Sequence, residues 1–527
     1  MTTGSTGTSG SRTGLPAALD VGGVKVTPAT LVFWGLAALV VVAMTILHDV
    51  AGMTLPAPWG DEAFFVWQAR AFERWNSFVA PEIDGTRTVL ILPFVYQTVL
   101  GTVFKLFGYS LDLARDISLF FTITGFVLLS ATAKSRAAPI AALVLIGAFM
   151  LNGHFIAMAN NARMEAFLFA TVCGALLLMQ SGRVWIALAV LSISPMIHPN
   201  GVLFLFPVVI YAVFSCKVHR TKPSRTALVI LGASFLIWLA NGLCAISEPD
   251  SLMRDIAYRL AETSSANSGW SRFGGWHGFG LLLIVATGAV GAWRKAKIGP
   301  FIVFAIGSWL MYRIRVEQWY EVFGNFAYLL LSLAILELAA QHTPLLKTRF
   351  GAPPRWAMAS AAMVAMLGLH VVAGNVQGPK NYIGDLNVNG MKVATDNVDY
   401  FTAQDQAAIA SYIGARGGEG ATTLEVYPWG DSLLITDLEG DGVQMQIPYF
   451  DPAFSAGGQN WLWGYGPTLW PTADIYLIRA SRYQPRWLDE RLKRVMARAE
   501  ERTNRQLEII HSRDGTEIWY AVRAPSS

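Results

Sequence analysis

Charged residues are scarce in this chain, and cysteine is scarcer still. Only 14% of the 527 residues are Asp, Glu, Lys or Arg, whereas 53% are hydrophobic. This balance excludes a highly charged disordered chain and is typical of a protein that crosses a membrane many times. The three cysteines, Cys173, Cys216 and Cys244, lie in or beside apolar segments, so they predict no disulfide framework.

Two kinds of motif are also missing from the sequence. No cluster of His, Cys and Asp has the spacing of a zinc site, and no glycine-rich phosphate loop is present. Use of a nucleotide-sugar is therefore not expected. The formal net charge of +4 is small and gives no reason to expect a nucleic-acid partner. No cofactor is certain, and a divalent cation bound by neighbouring acids stays open as an alternative.

Apolar runs are abundant, and many have the length of about 17–25 residues that a helix needs to cross a bilayer. We predict an α-helical polytopic membrane protein with about eleven transmembrane helices and a C-terminal soluble α/β domain. The predicted spans are 28–48, 113–133, 137–156, 164–181, 183–199, 200–216, 226–246, 277–293, 298–313, 325–341 and 356–374.

Composition divides the chain into three regions. Residues 1–26 are rich in Ser, Thr and Gly, which predicts a disordered cytoplasmic leader. Residues 27–375 form the predicted transmembrane domain, in which 50–112 is a first outer loop that carries juxtamembrane helices. Residues 376–527 are more polar and predict a small domain outside the membrane.

The polar C-terminal region combines strand and helix patterns. Asp474–Ile478, Glu508–His511 and Glu517–Val522 are typical of strands, and the last two are separated by a turn at Asp514-Gly515. Trp487–Arg502 is typical of a charged amphipathic helix. This mixture predicts an α/β fold.

The helix predicted near Val89–Phe107 decides the orientation of the whole chain. If it crosses the membrane, Lys134, Arg136 and the later basic clusters fall outside. If it lies along the outer surface, those clusters fall inside, where loops carry an excess of Lys and Arg. We therefore predict a multi-pass protein of a bacterial inner membrane, with a cytoplasmic N-terminus, an extracytoplasmic C-terminal domain and membrane lipids as neighbours.

Two adjacent acids, Asp61 and Glu62, stand where the chain leaves the first apolar run, after Pro58 and Gly60. In one interpretation Asp61 caps a helix and Glu62 favours its first turn. In the other, a carboxylate at the membrane surface takes a proton from a substrate hydroxyl. A single residue can do both.

The outer ends of the predicted spans hold the other unusual polar residues, whereas the span middles are nearly free of charge. A charge at mid-bilayer costs at least about 2.5–3.5 kcal/mol, so we expect the chemistry at the membrane–water boundary. A surface ion pair, a membrane-edge anchor or an aromatic belt is the structural alternative for each candidate. These candidates are Arg115, Arg163, Glu165, His198, Arg313, Arg315, Trp319 and Tyr320.

Four strings carry a family resemblance: the acidic pair, Gly-Tyr-Ser-Leu-Asp-Leu-Ala-Arg at 108–115, Ala-Arg-Met-Glu at 162–165 and His-Pro-Asn-Gly at 198–201. Their order and spacing resemble the GT-C glycosyltransferases, more narrowly the protein O-mannosyltransferase and lipid A aminoarabinose transferase branch, over about residues 28–340. The family's His-Pro-Pro-Leu string in the second juxtamembrane helix is absent here, and Leu92-Pro93 stands near that place.

The resemblance implies roles for the matching residues. Asp61 stands at the reaction centre, Glu62 completes the acidic pair, Arg115 is the arginine at the loop end, and Glu165 takes a second acidic position that is usually Asp. The implied activity is that of an integral-membrane inverting glycosyltransferase. It moves a sugar from a polyprenyl-phosphate donor to a glycan, lipid or protein acceptor on the outer face.

In this interpretation Asp61, Glu62 and Glu165 are catalytic. The donor phosphate contacts Arg115, Arg163, Arg313 and Arg315, and the substrate contacts His198, Trp319 and Tyr320. One alternative is a lipid or polysaccharide transporter or flippase, which predicts charged or broken helices near mid-bilayer and a repeat between halves. Another is a non-catalytic receptor that works through its C-terminal domain.

Overall fold

The structure is a computed structural model in which part of the chain is described. The side chain of Asp61 is among those that lie outside this description, although its backbone lies within it. The described residues are 19–21, 24–53, 60–77, 94–247, 249, 253, 276–314, 320–342, 385–388, 391–394, 401–416, 422–427, 433, 435, 443–446, 473–481, 486–513, 515 and 517–524.

Helices account for most of the described residues between 28 and 342. They are α1 (Pro28–Met53), α2 (Gly60–Trp75), α3 (Val95–Phe107), α4 (Leu111–Lys134), α5 (Pro139–Met150), α6 (Gly153–Ala159), α7 (Met164–Gln180), α8 (Val184–Leu191), α9 (Ser194–Ile197), α10 (Val202–Phe214), α11 (Arg225–Ser247), α12 (Trp276–Trp293), α13 (Gly299–Ile314) and α14 (Glu321–His342).

Several of these helices are long and apolar enough to cross a membrane. In the described part of the chain, α1, α4, α11 and α14 each meet this criterion, and α5 with α6 makes a fifth if the pair is one span. Each predicted span up to 325–341 falls on a helix or a helix pair. The last, 356–374, lies outside the described residues, so the total of about eleven stays a prediction.

The pair α5 and α6 is bent by 68° at its break. Asn152 causes the second helix to start afresh, because its side chain accepts a hydrogen bond of 2.9 Å from the His154 N–H as an N-cap. Ser110 caps α4 in the same way, accepting from the Leu113 N–H at 3.0 Å. These caps fix where α4 and α6 begin.

Helices α2 and α3 pack against each other. The Gln97 amide donates to the Gln68 amide oxygen at 3.0 Å, and Gly101 allows a close approach, since an added Cβ would lie 2.5 Å from the Ala69 carbonyl oxygen. With 13 residues, α3 is about 20 Å long. Its juxtamembrane position, and the orientation of the chain that depends on it, stay predictions.

The C-terminal region forms a mixed five-stranded sheet, which confirms the mixture of strands and helices expected there. The strands are β5 (Thr422–Tyr427), β6 (Val443–Gln446), β7 (Ile475–Ser481), β8 (Glu508–Arg513) and β9 (Glu517–Arg523), and the helices are α15 (Ala403–Arg416) and α16 (Arg486–Thr503). The order of the sheet is β6-β5-β7-β9-β8, in which β6, β5 and β7 pair parallel and β7, β9 and β8 pair antiparallel.

Two short strand pairs were not expected from the sequence. In the segment predicted to be a disordered leader, β1 (Leu19–Val21) pairs antiparallel with β2 (Val24–Val26), while residues 1–18 lie outside the described part. Similarly, β3 (Asp385–Val388) pairs with β4 (Met391–Ala394). Alternating Val and polar residues in both pairs fit a strand, although each run is very short.

The C-terminal region touches the segment between α3 and α4. The Tyr109 hydroxyl, between α3 and α4, donates to the Leu433 carbonyl oxygen at 3.4 Å. The same Tyr109 ring lies 4.2 Å below the Arg70 guanidinium of α2. Arg70, Tyr109 and Leu433 therefore form a continuous contact from α2 to the C-terminal region.

Candidate active site

Glu62 and Arg115 form a buried bidentate ion pair. Glu62 lies in the first turn of α2 and is 0% exposed, and Arg115 lies in the second turn of α4. The Arg115 Nε and Nη2 groups donate to Oε1 and Oε2 of Glu62, each at 2.8 Å. Such a fork-to-carboxylate arrangement fixes orientation as well as charge, so it locks the start of α2 against α4.

The loop before α7 joins this pair to a second one. The Ala162 N–H donates to Glu62 Oε1 at 2.9 Å. The next residue, Arg163, donates through Nη2 to Glu165 Oε1 at 2.8 Å and through Nε at 3.2 and 3.3 Å. Glu62 and Glu165 are therefore held at the two ends of one short backbone segment.

His198 approaches the same carboxylate from the end of α9. Its Nδ1 accepts a hydrogen bond of 3.0 Å from the Asn200 N–H, so in the neutral ring the proton is on Nε2. That Nε2 lies 3.8 Å from Glu165 Oε1 and 3.5 Å from the Tyr320 hydroxyl. The structure thus brings together Glu165, His198 and Tyr320, as expected for members of one site.

Tyr96 and Ser118 also belong to this centre, and the sequence interpretation missed them. Both are 0% exposed. Burial raises the pKa of Tyr96 above its ordinary value, with Ser118, Glu62 and Glu165 among the groups that act on it. The Tyr96 hydroxyl therefore remains a hydrogen-bond donor. The only sequence signal for Ser118 was its spacing of three residues from Arg115, which places both on one helix face.

Three of the predicted residues cannot be placed by their side chains. Asp61 lies in the first turn of α2 directly before Glu62, but its side chain lies outside the description, and so do Arg315 and Trp319. Arg313 is buried at the end of α13, with its guanidinium 5.3 Å from the ring of Tyr312. Its role in phosphate binding stays a prediction.

The described acids are not arranged as a metal centre. Within the described part of the chain, no group of three or more His, Cys, Asp or Glu is placed to hold a metal ion. The Glu62 oxygens accept from Arg115 and Ala162, and a Glu165 oxygen accepts from Arg163 at 2.8 Å. Each of these two carboxylates already pairs with an arginine side chain, Arg115 or Arg163. The pair therefore does not fit the oxygen shell that Mg²⁺ or Ca²⁺ requires.

Chemically, the centre consists of two carboxylates, each neutralised by one arginine and removed from water. Arg115 balances Glu62 and Arg163 balances Glu165. Because both acids are held by strong charge-assisted hydrogen bonds, they are suited to orienting groups rather than to accepting a proton. The role of Asp61 as the proton acceptor stays a prediction, since its side chain lies outside the described residues.

No protein-family model matches this sequence, and no curated protein matches it. Among solved structures, the chain is similar to ArnT from Cupriavidus metallidurans bound to undecaprenyl phosphate, with a TM-score of 0.51 and 14% identity over 92% of this chain and 98% of that one. The apo form of that ArnT gives a TM-score of 0.47 at 13% identity, over 93% and 98% of the two chains.

The archaeal oligosaccharyltransferase AglB from Archaeoglobus fulgidus, in complex with an inhibitory peptide and a dolichol-phosphate, gives a TM-score of 0.36 at 11% identity over 84% of this chain and 69% of that one. Of these three likenesses, the one to ArnT with its lipid shows the fold. The expected fold is confirmed in its coarse form: this chain is an integral-membrane protein with an ArnT-like fold, and its described part includes several helices long and apolar enough to cross a membrane.

Proposed function

We propose that this protein is an inverting glycosyltransferase that moves a sugar from a polyprenyl-phosphate donor to a hydroxyl group of a glycan, lipid or protein acceptor. The reaction would take place on the outer face of a bacterial inner membrane. The observation that carries this proposal is the pair of linked, buried carboxylates, Glu62 and Glu165, directly beside Asp61 in the first turn of α2. The ArnT-like fold supports it, because that ArnT structure holds undecaprenyl phosphate.

The proposed step transfers one proton and exchanges one bond. Asp61 takes the proton of the acceptor hydroxyl, and the acceptor oxygen attacks the anomeric carbon of the sugar. The bond between that carbon and the phosphate oxygen breaks, so the polyprenyl phosphate leaves with the bonding electrons. A positioned base contributes typically about 10²- to 10⁴-fold to such a rate.

The other residues position or neutralise groups. Because Arg115 and Arg163 each face a carboxylate, we assign them mainly to alignment of Glu62 and Glu165. The departing phosphate is then assigned to Arg313 and Arg315, whose guanidinium groups suit phosphate oxygens. His198, Tyr320 and Trp319 complete the contacts with the substrate.

The test uses purified protein in lipid nanodiscs with a panel of radiolabelled polyprenyl-phosphate sugars. Asp61→Asn is expected to lower transfer by about 10²- to 10⁴-fold. Asp112→Asn is the matched control, because Asp112 is an exposed acid in the first turn of α4. Transfer that survives Asp61→Asn would remove the proposed base, and a wild-type protein inactive with every donor would favour another class.

One observation favours a second candidate, a lipid or polysaccharide flippase. The bend of 68° between α5 and α6 is the kind of broken span that this alternative predicts. In proteoliposomes without any acceptor, a flippase would move a labelled polyprenyl-phosphate sugar between leaflets. The proposed transferase would leave the label in its original leaflet.

A further inference from the structure

Ten Lys and Arg residues are gathered in four short segments, each of which joins one apolar helix to the next. The segments contain no Asp or Glu, and they are residues 134–138, 181–183, 215–225 and 294–298. Nine of the ten cations are exposed. Within the described part of the chain, none of these nine forms an ion pair with an acid. We call the four segments together the basic face.

Contacts between the segments place them on one surface. The Arg136 guanidinium donates to a backbone carbonyl oxygen of the fourth segment at 3.3 Å. The Trp185 indole N–H, just after the second segment, donates to the Thr221 hydroxyl of the third at 3.0 Å. Gly299, just after the fourth segment, lies so close to Tyr211 of α10 that an added Cβ would be 2.7 Å from a ring carbon. The four segments are therefore neighbours.

The helix dipoles do not neutralise this charge. Each segment follows the end of one helix and precedes the start of another, so a partial charge of about −0.5 is offset by one of about +0.5. The buried acid Glu337 of α14 accepts a hydrogen bond of 3.1 Å from the Ala137 N–H and lies 4.0 Å from Arg136, the tenth cation. The nine exposed cations are left for a partner of opposite charge.

Two of the exposed lysines occupy backbone positions that favour glycine, since φ is 55° at Lys295 and 51° at Lys217. At the end of α12, the Lys295 N–H donates to the Ala292 carbonyl oxygen at 3.1 Å, and the next N–H donates to that of Gly291 at 2.8 Å. This is a Schellman motif. The same motif ends α7 on this face, but with Gly182 at the equivalent position. A strained lysine where glycine fits indicates that its charge is used.

The cations lie directly beside exposed apolar side chains. Phe214 and Trp293, the last residues of α10 and α12, are both largely exposed. The Arg294 guanidinium lies 4.2 Å from the Trp293 ring, and Lys134 Nζ lies 5.5 Å from the Trp34 ring of α1. Tryptophans and cations at the ends of apolar helices are typical of the level of lipid headgroups. A soluble anion would leave these apolar side chains in water, whereas a lipid covers them.

We propose that the basic face binds the phosphate headgroups of anionic membrane phospholipids, with their acyl chains against Phe214 and Trp293. A phosphodiester group brings one negative charge and only acceptor oxygens, which match the donors of Lys and Arg. This inference does not depend on sugar transfer, because the basic face includes the last residue of α4, whereas Arg115 lies near the start of that helix.

The test measures lipid binding to the full-length protein in a mild nonionic detergent by native mass spectrometry. The probes are phosphatidylglycerol and phosphatidylcholine with the same acyl chains, which differ in net charge. Wild-type protein is expected to prefer phosphatidylglycerol. Raising the ammonium acetate concentration from about 0.1 M to about 1 M shortens the Debye length from about 10 to about 3 Å, so it is expected to abolish the preference.

Arg294→Gln and Lys297→Gln are each expected to reduce the preference for phosphatidylglycerol by up to about 5-fold, the effect of one cation near an anionic surface. Arg74→Gln is the matched control. Arg74 is also exposed and also lies near a tryptophan ring, that of Trp75 at 5.9 Å, but it belongs to α2. Its replacement is expected to leave the preference unchanged.

Lys295→Gly separates a lipid-binding role from a structural one. Glycine relieves the strain at positive φ, so the thermal unfolding midpoint is expected to stay the same or rise. The preference for phosphatidylglycerol is nevertheless expected to fall as it does for Arg294→Gln. Lys295→Arg keeps the charge and is expected to keep the preference.

Four outcomes would overturn the proposal. They are equal binding of the two lipids by wild-type protein, full preference in Lys295→Gly, a lower midpoint for that variant, and an equal loss of preference in Arg74→Gln. Soluble poly-glutamate is the remaining probe. If wild-type protein bound it more tightly than phosphatidylglycerol, the basic face would be assigned to an acidic protein and the lipid proposal would be wrong.

Discussion

Replacing Arg115 by Met removes the two 2.8 Å hydrogen bonds that its guanidinium donates to the buried Glu62 carboxylate. The Ala162 N–H remains as a donor to Glu62, but it brings no charge. Removal of one partner of a buried ion pair typically costs about 3–5 kcal/mol, because the other charge stays buried without compensation. We expect Arg115→Met to destabilise the protein by that amount.

The double variant Glu62→Gln, Arg115→Met removes both charges and keeps the side-chain volumes similar. Because no charge is then left buried without compensation, the double variant is expected to be about 2–3 kcal/mol more stable than Arg115→Met alone. Sugar transfer should stay low, since the stability returns but the alignment of Asp61 and of the donor sugar does not.

The measurement is reversible unfolding by SDS in a mild detergent, followed by tryptophan fluorescence. Arg74→Met is the control, because Arg74 is an exposed cation on α2 and its loss should change stability by no more than about 0.5 kcal/mol. If Arg115→Met costs less than about 1 kcal/mol, or the double variant is as unstable as the single one, the buried bidentate pair described here is refuted.

Three further predictions concern other parts of the molecule. His198→Ala should lower sugar transfer about 10-fold or more, as expected for loss of a positioned group. A transfer rate within twofold of wild type would show that His198 has no part in the reaction, although it lies beside Glu165. Gly101→Ala should lower the thermal midpoint, since an added Cβ would meet the carbonyl oxygen of the facing helix at 2.5 Å, whereas the same change at Gly35 meets nothing within 4 Å. Burial raises the pKa of Tyr476 in the C-terminal sheet above 10.0, so the unfolded state releases this proton first and stability should fall as the pH rises above about 10. Tyr476→Phe should flatten that alkaline fall in a denaturant titration, and an unchanged slope would contradict it.

The helices could be predicted from the sequence, because the hydropathy and the length of an apolar run indicate a membrane-spanning helix directly. Ser110 and Asn152 are ordinary N-caps, and each stands where its helix begins. The strands around Ile475 and Glu517 were also predictable from their alternating pattern. The order of the sheet was not, because β5, β6 and β7 are joined by long connections whose pairing no local pattern specifies.

For the candidate site, the sequence identified the residues but not their partners. It named Glu62, Arg115, Arg163 and Glu165 as candidates. It treated Arg115 as a phosphate ligand, while the structure pairs it with an acid 53 positions away in the chain. Such a contact depends on how α2 packs against α4. Tyr96 was missed for the same reason, since a tyrosine in an apolar helix is normally a packing residue.

The backbone link from Ala162 to Arg163 has a consequence for how this protein can change during evolution. Ala162 contributes its amide and Arg163 contributes its side chain, so neighbouring residues serve two different carboxylates. An insertion or deletion between Ala162 and Arg163 would break at least one of these two contacts, so Glu62 and Glu165 would no longer be held in a fixed relation. Sequence drift in this protein should therefore spare the length of this link even where the identity of Ala162 varies, and the two acids should tolerate replacement only in concert.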